Sequence, residues 1–345
     1  MTSKVLLITG GGGVGKTTLS AALAVTAARN GVRTLVVTID PARRLATALG
    51  LKNLGSEPSP HKNEPNLWAA MLDASASWKA IAHRHAPADV ADRLVDNPFF
   101  EAATQHFPAS QSYASAEEMA NYVETRAWDL VVIDTPPSAG GIEFFSAPAE
   151  MRDLVGGRLL RWLTGGALPG RRALFTLTAR PALRIAGAAL GSDLLERVAE
   201  FLMDMRTMYD GLARRAVQIE QHFRDARTVV VTTADPAPLR EAARFYRELP
   251  DRVPDPDAIV FNRVLPAAWH NPKPPTDGPL IENLVRWGAE AHRQTEVRKE
   301  FAALWKTDTA TVPWRPKTPT SLDDLAALIA EAEGLPLERL GVEPQ

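Results

Sequence analysis

Unbroken runs of apolar, mostly β-branched residues recur along the chain at 5–9, 34–40, 67–72, 130–134, 229–233 and 259–262, with a shorter one at 311–313. Because apolarity within each run is continuous rather than alternating, the runs predict strands buried on both faces, as in a parallel sheet covered by helices. Between them the spacing lengthens to that of a helix: residues 17–30 place Leu19, Ala22, Leu23 and Thr26 on one face. From 149 to about 225 the strand signal is absent and helical spacing continues, with breaks at Gly156-Gly157 and Gly165-Gly166. The pattern predicts an α/β fold with a mostly parallel central sheet flanked by helices, built from 1–148 and 226–345, and an inserted helical subdomain at 149–225. Proline-rich stretches at 236–238 and 266–279 read as loops.

The first strand runs into Gly10-Gly11-Gly12-Gly13-Val14-Gly15-Lys16-Thr17-Thr18 and then the first helix. Glycine, four residues, then Gly-Lys-Thr between a strand and a helix is the spacing of a phosphate-binding P-loop. Without Cβ atoms the backbone from Gly12, Gly13 and Val14 to Gly15 can wrap a phosphate and turn its N–H groups inward, and the helix N-terminus at Lys16–Thr18 adds partial positive charge. Lys16 would reach the terminal phosphates, and the Thr17 hydroxyl would hold Mg²⁺.

In a sheet of this kind ligands bind beyond the carboxyl ends of the strands. Three further endings carry chemistry there: Asp40-Pro41-Ala42-Arg43-Arg44, Asp134-Thr135-Pro136-Pro137 and Asn262-Arg263. Either aspartate alone is as well explained as a helix cap or turn residue. Beside Lys16 and Thr17, Asp40 and Asp134 become candidate Mg²⁺ or water partners, and Lys16, Asp40 and Asp134 the candidate catalytic set.

Composition narrows the classes. A net charge of −2 gives no general affinity for nucleic acid. There are no cysteines, which excludes disulfides, thiolate metal sites and cysteine nucleophiles. No apolar run approaches a membrane span, and Met1-Thr2-Ser3-Lys4 leaves no room for a signal peptide, which predicts a cytoplasmic protein. His83 and His85 read as surface residues. In 192–212, Ser192 and Glu196 suggest a capping box ahead of one long apolar face carrying Met205 and Met208, with Met203 nearby. That face suits either an adaptable groove for hydrophobic helices or an ordinary core. Between Met151 and Leu190 stand seven arginines and one acidic residue, Asp153. Arg152, Arg158 and Arg161 flank Trp162 and Leu163 in a pattern open to a membrane-surface helix or a solvated face.

The motif order, from Val14-Gly15-Lys16-Thr17-Thr18 through Thr38-Ile39-Asp40-Pro41-Ala42, Asp134-Thr135-Pro136-Pro137 and Val260-Phe261-Asn262-Arg263 to Val312-Pro313, resembles that of the arsenical-pump (ArsA-type) ATPase family. That family includes the ATPases that target tail-anchored membrane proteins. The resemblance implies ATP and Mg²⁺, a nucleotide-sandwiched homodimer, and helical subdomains that respond to ATP. It also implies adenine contacts at Asn262, Arg263, Pro313 and Trp314, and, by the targeting branch, a hydrophobic client helix or a membrane-associated partner, with peripheral attachment to the membrane.

Three departures bear on activity. A second loop lysine that reaches the partner's nucleotide in the family is Gly11 here, an aspartate that orients the attacking water aligns with Thr47, and a Gly-His pair is Ala139-Gly140. Hydrolysis is therefore expected to be slow. Without cysteines there is no thiolate site for arsenite. The alternatives are a nucleotide-dependent switch or scaffold with little ATPase activity, and a partitioning-type ATPase acting on DNA or membrane, which the near-neutral charge and the helical insert disfavour.

Overall fold

The computed structural model describes residues 3–40, 42–106, 109–136, 138–157, 192–249, 253–269 and 280–343. Its strands are β1 Lys4–Gly10, β2 Thr34–Thr38, β3 Ser59–His61, β4 Glu64–Met71, β5 Leu130–Asp134, β6 Arg227–Thr232, β7 Ala258–Val264 and β8 Thr309–Pro313. They form an eight-stranded sheet in the order β3-β4-β2-β5-β1-β6-β7-β8. Every neighbouring pair is parallel except β3 with β4. From β1 the chain first builds outward on the β5 side and later, through β6, β7 and β8, on the other. The reversal falls at β1, and the crevice at its carboxyl end is where such sheets take ligands.

The seven apolar runs all became strands. β2 stops at Thr38, so Ile39 and Asp40 lie in the following loop. β3 left no apolar signal because Ser59 and Pro60 are exposed, and a proline fits an edge strand that donates nothing outward.

Helix α1, Lys16–Arg29, is buried along almost its whole surface. Its alanines let it lie close between the sheet residues Leu6, Ile8, Val36, Val132 and Val229 and a second helix bearing Leu325, Leu328 and Ile329. Each fully buried Leu, Ile or Val contributes about 1.5–3 kcal/mol, so this layer fixes the loop that precedes α1. The remaining α-helices among the described residues are α2 Arg44–Ala48, α3 Ala74–His85, α4 Ala88–Val95, α5 Pro98–His106, α6 Ser110–Thr125, α7 Ser138–Gly156, α8 Ser192–Arg206, α9 Tyr209–Asp225, α10 Pro236–Glu248, α11 Leu280–Trp305 and α12 Leu322–Ala330. The stretch 236–238 is therefore helix, not loop: Asp235 stands at the N-cap and Pro236 opens the first turn, where its missing N–H costs nothing. Residues 270–279 of the second proline-rich stretch lie outside the described residues.

The chain divides into two compact units. One, Met1–Leu72, Met119–Phe145 and His222–Gln345, carries the sheet; the other, Asp73–Glu118 and Ser146–Gln221, is helical. The helical unit takes in α3 to α5 as well as the segment expected at 149–225. Nothing in the amphipathic pattern of α3 to α5 says which layer their apolar faces join.

Within the helical unit, Trp78, Tyr113, Met151, Phe201, Met205, Met208 and Leu212 are buried. The single long helix expected over 192–212 is two helices. Its last turn before the break is tightened by Thr207 N–H donating to Asp204 O at 3.0 Å and Met208 N–H to Met205 O at 3.1 Å. Met205 and Met208 face the core, and Met203 is 43% exposed. The side chains of the expected cap, Ser192 to Glu196, lie outside the described residues, as does 158–191 with Arg158, Arg161, Trp162, Leu163 and Gly165-Gly166.

Glu117 is fully buried. Both its oxygens accept from Arg215 Nε at 3.0 Å, Arg84 also pairs with it, and His85 Nε2 lies 3.8 Å away. His83 is a surface residue, but His85, with 12% of its side chain exposed, belongs to this buried cluster. Among the described residues no helix is long and apolar enough to cross a membrane, and no group of His, Asp and Glu has the arrangement of a metal site.

Candidate functional site

The loop between β1 and α1 stands at the reversal point of the sheet. Gly15, the N-cap of α1, has φ +98°, and a Cβ there would collide with the Asn262 amide. Only glycine satisfies both conditions. Asn262 uses that closeness: its Nδ2 donates to Val14 O at 2.8 Å and ties β7 to the loop. No side chain caps α1, so the first N–H groups of the helix are left for the loop or a ligand.

Lys16 is buried, and its ammonium turns back to donate to the carbonyl oxygens of Gly10 at 3.0 Å and Gly11 at 2.8 Å. Burial lowers its pKa from the ordinary lysine value, while Asp134, Asp40 and Glu241 act to raise it. Asp134 ends β5, in register with Ile8 of β1 and Thr38 of β2. Its Oδ2 accepts from the Thr17 hydroxyl at 2.7 Å and the Thr38 hydroxyl at 3.0 Å, and the Ser20 hydroxyl stands 3.5 Å from Oδ1. Burial pushes the carboxyl up to about 6; the two threonine hydrogen bonds and Lys16 hold it from rising further. Asp40, two residues past β2, closes a local turn by accepting from Ala42 N–H at 2.9 Å, and its other oxygen lies 3.4 Å from Arg44 Nη1.

A cleft of about 570 Å³ opens over this set, lined by Gly13, Gly15, Lys16, Thr17, Thr18, Arg43, Arg44, Thr47, Ala48, Arg263, Thr318, Pro319 and Thr320. Of the residues singled out from the sequence, the structure brings Gly13, Gly15, Lys16, Thr17, Thr18 and Arg263 to the cleft wall and Asp134 and Asn262 into hydrogen bonds with its lining. Pro313 and Trp314 do not line it. Trp314 N–H donates to Val264 O at 2.8 Å, and its ring packs 6.2 Å from Trp269. Thr47 faces the cleft from α2, with its hydroxyl donating back to Arg43 O at 2.9 Å. A Cβ on Gly11 would collide with the Glu241 carboxylate, which reaches the loop from α10.

Ser20, Glu241 and the wall at Thr318–Thr320 carry no motif that marks them in the sequence and are found through packing. Thr38 opens the Thr38-Ile39-Asp40-Pro41-Ala42 motif, but its hydrogen bond to Asp134 is found only through strand register. Of the expected donors for Mg²⁺, Thr17 Oγ1 and Asp134 Oδ2 are hard oxygens already side by side, which fits a cation that keeps several waters and takes few protein ligands.

A family model described as anion-transporting ATPase matches residues 3–308. The chain is 31% identical over 332 residues to an uncharacterized protein of Streptomyces coelicolor, an alignment covering 94% of this chain and 75% of that one. It is 25% identical over 347 residues to a Halobacterium salinarum protein named for an arsenical pump-driving ATPase, covering 96% of this chain but 45% of the other. It is 26% identical over 306 residues to the ATPase GET3 of Rhodotorula glutinis, covering 88% and 80%. The chain thus spans less than half the length of the Halobacterium relative.

Proposed function

The chain belongs to the anion-transporting, ArsA-type ATPase family and is an ATP-binding P-loop ATPase, and from that premise we propose that it binds Mg·ATP at the Gly10–Thr18 loop and hydrolyses it slowly. The observation that carries the reading is the contact of the Thr17 hydroxyl with the Asp134 carboxylate, 2.7 Å apart beneath a loop whose lysine is within reach of the same cleft. In this reading the N–H groups from Gly12 to Thr18 cradle the phosphates. Lys16 leaves the Gly10 and Gly11 carbonyls for the terminal phosphates. Thr17 and Asp134, with Asp40, would hold Mg²⁺. A bound Mg²⁺ supplies charge neutralisation at the phosphate oxygens. Arg263 and the Thr318–Thr320 wall flank the remainder of the nucleotide.

Slow turnover is supported by what stands at two positions. Gly11 offers no lysine to a second protomer, and Thr47, hydrogen-bonded to its own helix, cannot act as a carboxylate base. The same two residues favour the second reading, a switch that binds ATP and rarely hydrolyses it. In either case the protein acts as a homodimer whose helical unit meets a hydrophobic client helix or a membrane-associated partner. Met203 supports that role: it lines a cleft of about 1050 Å³ in the helical unit with Pro98 and Phe99.

Binding is tested by unfolding with and without Mg·ATP. At a hundred times Kd the ligand adds about 2.7 kcal/mol of stability by linkage, a gain that Lys16→Ala and Thr17→Ala abolish. An undiminished gain in both variants places the nucleotide elsewhere. Steady-state hydrolysis, with and without lipid, then separates the slow enzyme from the switch.

A further inference from the structure

We infer that Arg43 and Arg44 form a charge clamp for the terminal phosphate within one chain, taking the place of the lysine that Gly11 cannot provide. The inference rests on the reading of the cleft as the ATP site. Both arginines line that cleft with Lys16 and Thr17. They stand at the start of α2, and Thr47, four residues after Arg43, lines the same wall, so one edge of this short helix faces the phosphate end of the cleft. Arg44 is positioned by Asp40, with Nη1 and Oδ2 3.4 Å apart. The Arg43 guanidinium is exposed and makes no ion pair or hydrogen bond to another described residue.

Position 11 offers no substitute. It has no side chain, and the space a side chain would enter is taken by the Glu241 carboxylate, an anion beside the loop that disfavours phosphate. A site that must neutralise an incoming triphosphate therefore draws its further positive charge from the arginines at the start of α2. Guanidinium groups suit this work because they stay protonated and match phosphate oxygens two at a time. In the reaction they serve, a water oxygen bonds to the γ phosphorus and the bond from that phosphorus to the β–γ bridging oxygen breaks. The bridging oxygen departs on ADP with the electron pair, the water proton passes to phosphate or solvent, and neither arginine exchanges a proton.

The test compares Mg·ATP and Mg·ADP affinity, and single-turnover hydrolysis where it is measurable, in wild type, Arg43→Ala, Arg44→Ala, the double alanine variant and Arg43→Lys. Urea unfolding checks that each variant folds. The clamp predicts that the double variant loses at least about tenfold in ATP affinity or turnover while ADP affinity stays within about twofold, since only the γ-phosphate meets the arginines. Added guanidinium should recover part of the loss in the alanine variants, which a merely structural role does not allow. Equal losses for ATP and ADP, or wild-type selectivity and turnover in the double variant, overturn the clamp while leaving the ATP site standing. Absence of Mg·ATP binding in wild type removes the underlying reading and the clamp with it.

Discussion

Asp134→Asn should make the nucleotide-free protein more stable at neutral pH. Asp134 is 1% exposed, and burial lifts its carboxyl from 3.8 to about 6. That gap is worth about 3 kcal/mol against the ionised form in the fold. For a group whose folded pKa is raised, the stability present below pH 3.8 is lost as the pH rises through about 6, because over that range the unfolded chain releases its proton first. The cost is fully developed at pH 7.5 and reaches about half its value at pH 5.

An amide removes the charge yet keeps an oxygen for the Thr17 and Thr38 hydroxyls, with its nitrogen directed to the Ser20 hydroxyl. Lys16 loses a counter-charge, which offsets part of the gain. The net expectation is about 1–2 kcal/mol of added stability at pH 7.5, shrinking towards pH 5. Urea midpoints of wild type and variant at the two pH values measure it, and the Mg·ATP stabilisation should be lost in the same variant. A variant less stable than wild type at pH 7.5, or an offset independent of pH, would refute the argument that burial sets the state of this carboxylate.

Three other expectations follow from contacts already described. Gly11→Lys alone should leave turnover within about twofold of wild type, because the new ammonium pairs with Glu241 of its own chain; Gly11→Lys with Glu241→Gln frees it, and equal rates in the single and double variants would show that Glu241 does not capture it. Gly15→Ala combines a left-handed backbone with a clash on the Asn262 amide and should cost about 1–3 kcal/mol, read from the urea midpoint and partly recovered when Asn262→Ala is added. In the helical unit, Arg215→Met leaves Glu117 buried with one guanidinium fewer and should cost about 3–5 kcal/mol, whereas a shift below about 0.5 kcal/mol would mean Arg84 alone satisfies the carboxylate.

Every strand but the antiparallel edge strand β3 was legible because burial on both faces leaves unbroken apolar runs, and the loop because its glycines, lysine and threonine sit at fixed spacing. Strand order was not, since register comes from pairing: Thr38 meets Asp134 only once β2 lies against β5. Prolines misled in one direction. The stretch at 236–238 reads as a loop until Pro236 is seen in the first turn of a helix, where its missing N–H costs nothing. The placing of α3 to α5 was not legible either. Helices α3 to α5 have the amphipathic pattern of sheet-covering helices, and only tertiary contacts assign Trp78 and Phe100 to a separate core. At the cleft, residue types without motif status, Glu241 above all, were invisible because their effect comes from where α10 points them.

Hydrogen bonds hold the loop and the strand ends around it. Lys16 is satisfied by Gly10 and Gly11, Thr17 and Thr38 by Asp134, and Asn262 by Val14. Leaving one of these buried groups unpaired costs about 1–3 kcal/mol. A phosphate gains only the difference between its own contacts and those it displaces. What tilts the balance is charge, because the displaced partners of Lys16 are neutral carbonyls and the incoming ones are anions, and charged hydrogen bonds are about twice as strong as neutral ones. The arginines that line the cleft act in the same direction, while Glu241 acts against it. The affinity of this site for ATP is therefore governed by the groups around the loop as much as by the loop, which is where this chain differs from the motif it carries.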